Sequence, residues 1–284
     1  MPELPEVETT CQGIAPSCEQ QIIEKIVIRN GNLRWPVNPE LVSALQGETI
    51  QTVRRRGKYI LLNTPVGTLM IHLGMSGTLR VLPNNSEIKK HDHFDIQLSN
   101  GVVVRLNDPR RFGSVHWQTA QQGSIEQHPL LAKLAPEPLS DAFNGDYFYQ
   151  IAKHRRVAIK SLVMNSQAVV GAGNIYANES LFMSGIHPQT PANKLTKAQC
   201  TQLVDNIKAV LAKAIKQGGT TLKDFMSPDG KPGYFIQELQ VYDRQGKACR
   251  HCQTPIERII LNQRASYFCP QCQPLKPVRA RRKK

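Results

Sequence analysis

Cys249-Arg250-His251-Cys252, followed after sixteen residues by Cys269-Pro270-Gln271-Cys272, decides how the chain ends. Two knuckles of this spacing deliver four thiolates to one tetrahedral zinc, and a site with four protein ligands is closed and therefore structural. The segment between the knuckles is too short to fold without the metal. Within it, Ile256–Asn262 and Ala265–Phe268 read as two strands, which places Asn262-Gln263-Arg264 at the hairpin tip. An arginine on a metal-stapled tip suits a phosphate grip, and a solvated surface arginine fits the position equally well.

Upstream of the hairpin the chain is helical. Thr196 and Gln199 form a capping-box pair, Leu203, Ile207, Val210, Leu211 and Ala214 share one face, and Gly218-Gly219 supplies the stop. The run Val169–Phe182 opens with Gly171-Ala172-Gly173, whose bare backbone could admit a phosphate or simply a neighbouring helix. Gly218–Tyr234, rich in Gly, Thr, Asp and Pro, reads as a surface loop, either a lid or a connector. Before these helices, Pro129–Tyr147 carries Pro129, Pro136, Pro138 and Asn144-Gly145 without periodicity and reads as a linker.

Further upstream the pattern becomes short strands: Ile22–Arg29, Thr49–Arg56, Tyr59–Asn63, Thr68–His72, Thr78–Leu82, Phe94–Leu98, Val102–Leu106 and Ser114–Trp117. Turn residues at Asn30-Gly31, Pro65-Val66-Gly67 and Ser99-Asn100-Gly101 separate them, as in an antiparallel sandwich or barrel. Arg54, Arg56 and Lys58 alternate and are expected on one strand face as a basic stripe. Asn107–Gly113 sets Phe112 beside Arg110 and Arg111 in a turn. Either Phe112 is core, or it is an apolar wedge of the kind that fills the gap left by an extruded base. Met75, in His72–Gly77, carries the same two readings. His91-Asp92-His93 lacks a third metal partner and suits a hydrogen-bonding or phosphate-contacting role.

The first residues, Met1-Pro2-Glu3-Leu4-Pro5-Glu6, also admit two readings. Proline and acids at a helix start are ordinary, and a short helix over Glu6–Gly13 is expected. If Met1 is removed, however, Pro2 presents a secondary amine whose pKa is roughly 8, so part of it is unprotonated near neutrality. Such an amine attacks a sugar C1′ or an aldehyde to give an iminium that stays cationic and drives elimination. Glu3 and Glu6 would then serve proton transfer and charge stabilisation.

Composition narrows the partner. The 284 residues carry a net charge of +14, which calls for a polyanion, and nucleic acid leads. Six of those charges, Lys276, Arg279, Arg281, Arg282, Lys283 and Lys284, form a tail free of acids. No basic-then-apolar leader opens the sequence and no run of 18 apolar residues occurs, so neither export nor a membrane span is expected. Seven cysteines, four of them clustered, suit a reducing compartment.

Together these segments resemble the formamidopyrimidine-DNA glycosylase family of bifunctional base-excision repair enzymes. The likeness runs through Pro2–Glu8, Arg56-Gly57-Lys58-Tyr59, His72–Gly77, Lys90–Phe94, Asp108–Gly113, the Val169–Phe182 helix-two-turn-helix signature, Gly218–Tyr242 and the zinc hairpin. It implies an α+β protein. Residues 1–128 would be an N-terminal antiparallel β-sandwich, 129–147 a linker, 148–237 a helix-two-turn-helix domain with a lesion-capping loop, 238–273 a zinc-finger hairpin and 274–284 a basic tail. The implied activity is excision of oxidised purines from double-stranded DNA, followed by β,δ-elimination at the abasic site. The resemblance makes Pro2 the nucleophile, Glu3 its proton donor, Glu6 a support of that site, Lys58 the β-elimination lysine and Arg264 the residue of δ-elimination. It makes Met75, Arg110 and Phe112 the residues that fill the helix void and probe the opposite base. His72, His91, Arg155, Lys160, Asn174 and Tyr176 fall at or beside its DNA contacts, and Thr220–Tyr234 would cap the everted base. One structural zinc on Cys249, Cys252, Cys269 and Cys272, a monomer, and a bacterial cytoplasmic, nucleoid-associated location complete the expectation. His154-Arg155-Arg156 and Asn165-Ser166 depart from the family's usual wording. The alternatives are an endonuclease VIII-type enzyme for oxidised pyrimidines, which usually has glycine in place of Leu4, and a catalytically silent DNA-binding zinc protein.

Overall fold

A computed structural model of the chain describes residues 2–220 and 235–275. Met1, the remainder of the expected capping loop and most of the basic tail lie outside the described residues. The chain divides into two compact units, Met1–Leu134 with Lys213–Gln237, and Ala135–Ala212 with Glu238–Lys284.

The first unit opens with α1 (Leu4–Cys18), longer than the expected Glu6–Gly13 because Pro16 is tolerated in its last turn. Eight strands follow: β1 (Ile23–Ile28), β2 (Thr52–Arg56), β3 (Tyr59–Thr64), β4 (Gly67–His72), β5 (Thr78–Pro83), β6 (Asp92–Leu98), β7 (Val102–Asn107) and β8 (Ser114–Thr119). They form two four-stranded antiparallel sheets ordered β1-β6-β7-β5 and β2-β3-β4-β8, the sandwich that the spacing of turn residues predicts. Between the sheets lie Ile26, Ile60, Leu62, Leu69, Ile71, Phe94, Ile96, Val104 and Leu106, joined by Val7, Cys11 and Ile14 of α1. The N-terminal helix is therefore anchored by the sandwich core.

The face of the first sheet away from this core buries an ion cluster. Arg105 and Asp95 are cross-strand partners. Arg105 binds Asp95 through two nitrogens, each at 2.9 Å, and its remaining donors reach the carbonyls of Ser86 and Glu87. Arg29, just past the end of β1, also binds Asp95, at 2.5 Å, and Arg80 from β5 pairs with Asp92. Burial raises the Asp95 pKa, but the Arg29 and Arg105 guanidiniums outweigh it and hold the carboxyl below its ordinary value.

The second unit contains α3 (Gly145–Ala152), α4 (Ile159–Val163), α5 (Asn174–Met183) and most of α6 (Lys197–Lys216). Thr196 and Gln199 close the expected box, the Gln199 N–H donating to Thr196 Oγ1 at 3.2 Å and the Thr196 N–H to Gln199 Oε1 at 2.9 Å. The hairpin strands β9 (Glu257–Leu261) and β10 (Arg264–Phe268) turn through Asn262-Gln263, both at positive φ as a type I′ turn requires. A short helix missing from the sequence reading, α2 (Glu40–Leu45), buries only Leu41 and Leu45, too little periodicity to be seen. Among the described residues no helix is long and apolar enough to cross a membrane.

Candidate active site

In the first unit, Pro2 is buried immediately ahead of α1, whose N-cap is Glu3. Glu3 and Glu6 are each 2% exposed. The Glu3 N–H donates to Glu6 Oε2 at 2.8 Å, and the Thr220 N–H donates to Glu6 Oε1 at 2.8 Å. Glu6 thus joins the start of the chain to the entrance of the Thr220–Tyr234 segment. Gly219 makes room for it: its φ is +79°, and a Cβ there would stand 3.0 Å from Glu6 Oε1. The helix-start reading and the nucleophile reading of Pro2 are compatible, because the same cap fixes the terminus in place.

Lys58 corrects the expected stripe. It lies beyond the end of β2, in the two-residue turn Gly57-Lys58 before β3, and does not share a strand face with its neighbours. Arg54 pairs with Glu126 at 2.9 Å, Arg56 donates to the Leu134 carbonyl, and Arg55 pairs with Glu8 at 2.7 Å while also donating to the Gly57 carbonyl. Arg55 therefore braces the turn that presents Lys58.

Two loops of this unit carry Met75 and Arg110–Phe112. Phe112 is 44% exposed, Arg110 and Arg111 are exposed, and Met75 is half-buried, so Phe112 is not a core residue. The Arg110 guanidinium lies 4.9 Å from the centre of the Phe112 ring. His91 is half-buried beside them, and its carbonyl accepts from the Asp108 N–H at 3.0 Å. His72 turns inward: its Nδ1 accepts from the Gly74 N–H at 3.0 Å and its ring packs 4.8 Å from that of Tyr59. Burial first, and then the nearby Lys58 and Arg34 charges, push its pKa down to about 4, so the ring is neutral at physiological pH.

In the second unit the hairpin is locked by polar side chains of α4 and α5. Lys160 was expected among the DNA contacts, yet it is 1% exposed. Its ammonium donates to Asn174 Oδ1 at 2.6 Å, the Ala265 carbonyl at 2.8 Å and Ser266 Oγ at 2.6 Å. A buried ammonium is tolerable only when acceptors surround it, and here the three acceptors make this lysine a brace of the hairpin. Tyr176 is likewise 1% exposed, while Asn174 is half-buried and Arg155 exposed. The Tyr267 N–H donates to Asn178 Oδ1, Asn262 Nδ2 donates to Ser161 Oγ, and Glu179 accepts the N–H groups of Gln240, Val241 and Tyr242. Arg264, exposed, therefore projects from a hairpin fixed at both its tip and its base.

The knuckle thiols converge. Sγ separations are 3.4 Å for Cys252–Cys269, 3.5 Å for Cys252–Cys272 and 3.9 Å for Cys249–Cys272, and all four lie within 4.8 Å of one another. Zinc–sulfur bonds of about 2.3 Å require tetrahedral edges of about 3.8 Å, close to these separations, so the four thiols suit one zinc. The other cysteines, Cys11, Cys18 and Cys200, are buried free thiols whose burial raises their pKa to about 12, 12 and 11, which leaves them inert.

Comparison with known proteins agrees with this layout. Residues 1–115 match the formamidopyrimidine-DNA glycosylase N-terminal domain, 134–226 the formamidopyrimidine-DNA glycosylase H2TH domain, and 246–275 the zinc finger found in FPG and IleRS. With the four thiols so placed, the hairpin holds one structural zinc. The formamidopyrimidine-DNA glycosylase of Hydrogenovibrio crunogenus is 58% identical over 273 residues, 96% of each chain, and that of Photobacterium damsela subsp. piscicida is 56% identical over 96% of this chain and 100% of the relative. Among solved structures, the MutM (Fpg) protein from Thermus thermophilus superposes with a TM-score of 0.86 at 35% identity, over 97% of this chain and 100% of that one. The Lactococcus lactis Fpg in complex with abasic-site DNA superposes with a TM-score of 0.89 at 31% identity, over 96% of this chain and 100% of that one. In domain order, in fold and in residue identity along nearly its whole length, the chain belongs to the formamidopyrimidine-DNA glycosylase family.

Proposed function

We propose that this protein is a bifunctional DNA glycosylase and abasic-site lyase that removes oxidised purines, formamidopyrimidines and 8-oxoguanine, from duplex DNA. The observation that carries the reading is the N-terminus itself: a secondary amine, once Met1 is removed, held at a buried helix cap with Glu3 and Glu6 beside it. Lesion-containing DNA is the ligand of similar proteins, including a Lactococcus lactis enzyme solved with Fapy-dG DNA.

In this mechanism the Pro2 nitrogen forms a bond to C1′ as the bond to the damaged base breaks, with Glu3 supplying a proton during base release and ring opening. The resulting iminium acidifies the C2′ proton. Lys58, presented by its turn, takes that proton, and the 3′ phosphate leaves in β-elimination. Arg264 then holds the 5′ phosphate as the second, δ-elimination expels it. Met75, Arg110 and Phe112 occupy the space vacated by the everted nucleotide and contact the opposite base. Arg155 and His91 supply further contacts to DNA. Zinc takes no part in these steps and holds the hairpin that carries Arg264. The same reading places the enzyme in the bacterial cytoplasm, at the nucleoid.

The test is borohydride trapping of tag-free protein on duplex DNA containing 8-oxoguanine opposite cytosine. A reduced adduct mapped to residue 2, with a one-nucleotide gap bearing phosphate at both ends, is expected. Trapping only on oxidised pyrimidines would move the enzyme to the endonuclease VIII type. Tight binding with no adduct on any lesion or on abasic DNA would leave a silent DNA-binding protein.

A further inference from the structure

The Met75 loop and the Phe112 loop are separated by more than thirty residues in sequence, yet one buried carboxylate serves both. Asp108 is fully buried. Its Oδ1 accepts from Ser76 Oγ at 2.7 Å and its Oδ2 from the Gly113 N–H at 2.7 Å. Ser76 Oγ in turn accepts from the Arg110 N–H at 3.2 Å, so the hydroxyl next to Met75 holds the backbone of the arginine. The backbone of Asp108 extends the connection: its N–H donates to the His91 carbonyl at 3.0 Å, and its carbonyl meets the Arg111 N–H at 3.1 Å and His93 Nε2 at 2.9 Å.

The two loops also touch directly. Gly74 has φ +63°, and a Cβ there would lie 2.3 Å from the Phe112 carbonyl carbon. Arg111 is held at φ +55°, an uncommon conformation for a residue with a side chain, and this reversal turns the chain between the Arg110 and Phe112 side chains. An acceptor-only group with both oxygens engaged has a single satisfied arrangement, so the loops cannot shift independently without stranding a buried charge.

We propose that Asp108 is the positioning residue for opposite-base discrimination: it couples the Met75 loop to the Arg110–Phe112 loop, so that the three side chains enter the duplex as one rigid probe. This rests on the reading of Met75, Arg110 and Phe112 given above. Asp108 touches no substrate, and it acts through Ser76 and Gly113.

The experiment uses the full-length, tag-free protein as wild type, D108A, D108N, R110A and F112A. Single-turnover excision is measured with 8-oxoguanine opposite each of the four bases. Fluorescence of 2-aminopurine placed opposite a stable abasic analogue reports filling of the void, and borohydride trapping on single-stranded abasic DNA, which has no opposite base, reports the chemistry alone. For D108A, excision opposite cytosine falls about tenfold and the spread among opposite bases narrows, while single-stranded trapping stays within about twofold. D108N keeps the shape and one acceptor oxygen and gives an intermediate effect. Adding D108A to F112A changes the 2-aminopurine signal no further than F112A alone, because the two act as a unit. Two results overturn the proposal: an unchanged opposite-base spread in both Asp108 variants while R110A and F112A narrow it, or an equal loss in every assay, including single-stranded trapping, from both Asp108 variants, which marks a folding role only. If R110A and F112A themselves leave the spread unchanged, the probe reading fails and the coupling falls with it.

Discussion

Replacing Glu6 with glutamine tests how the nucleophile is held. Both carboxylate oxygens accept a backbone N–H at 2.8 Å, one from Glu3 and one from Thr220. The amide has one carbonyl oxygen, so one N–H keeps a neutral partner and the other meets an NH2 group, donor against donor. A hydrogen bond to a charged group contributes about 1.5–3 kcal/mol and a stranded buried donor costs about 1–3 kcal/mol; because these overlap, the expected loss is about 2–4 kcal/mol. The two tryptophans, Trp35 and Trp117, both lie in the first unit, so their fluorescence during urea unfolding reports the unit that contains Glu6. With a slope of about 1–3 kcal/mol per molar urea, the midpoint drops by about 0.7 M or more. G219A, which places a Cβ against Glu6 and strains a left-handed residue, costs about 1 kcal/mol. Its effect is less than additive with E6Q, because both disturb one contact. Borohydride trapping at residue 2 slows in step with the loss. A midpoint shift below about 0.3 M would refute the scaffold argument, as would a stable E6Q protein that cannot be trapped, which would assign Glu6 to the chemistry alone.

R105M leaves the buried Asp95 carboxylate without its bidentate partner and is expected to lower stability by about 3–5 kcal/mol in the same unfolding assay. Because the folded pKa of Asp95 is depressed, its share of stability is complete above the unfolded value near 3.9 and is lost as pH falls through the lower folded value; this decline in acid should be smaller in R105M, where Arg29 is the remaining guanidinium on Asp95, than in wild type. His72 acts at a higher pH: its folded pKa of about 4 lies below an unfolded value near 6.5, so stability is full above the latter and falls as pH drops toward the former, and H72N should flatten part of that slope. One zinc per chain should be found by metal analysis, and C269S should lose it together with δ-elimination while tryptophan fluorescence stays native. Deletion of residues 276–284, which hold six positive charges, should weaken DNA binding and reduce the slope of log affinity against log salt by up to ~5; an unchanged slope would exclude the tail from the interface.

The features that could be read from sequence were those whose cause is local. The strands announce themselves as short β-rich runs between turn residues, the helix start at Thr196 through its own box, and the metal site through two knuckles that need only a hairpin between them. What escaped depends on register or on distant closure. Asp95 and Arg105 each stand among apolar neighbours in a strand, and period-two reading would turn both to solvent. Only the pairing of β6 with β7 sets them directly opposite, and only the carbonyls of Ser86 and Glu87 cover the pair. The surroundings of Lys160 were hidden for a similar reason: β10 supplies its acceptors from more than a hundred residues away.

The opening residues show the same division most sharply. Proline and glutamate near a helix start satisfy both the rules of helix capping and the needs of an amine nucleophile, so no count of local features can separate the two readings. They need no separation, because the cap is the device that immobilises the amine. What distinguishes this helix start from an ordinary one is that Glu6, having closed the cap with the Glu3 N–H, spends its second oxygen on the N–H of Thr220, 214 residues onward. An ordinary cap would leave that oxygen to water. Here it ties the first turn of the chain to the entrance of the segment proposed to cover the everted base, so that the proposed nucleophile and its proposed cover share one carboxylate.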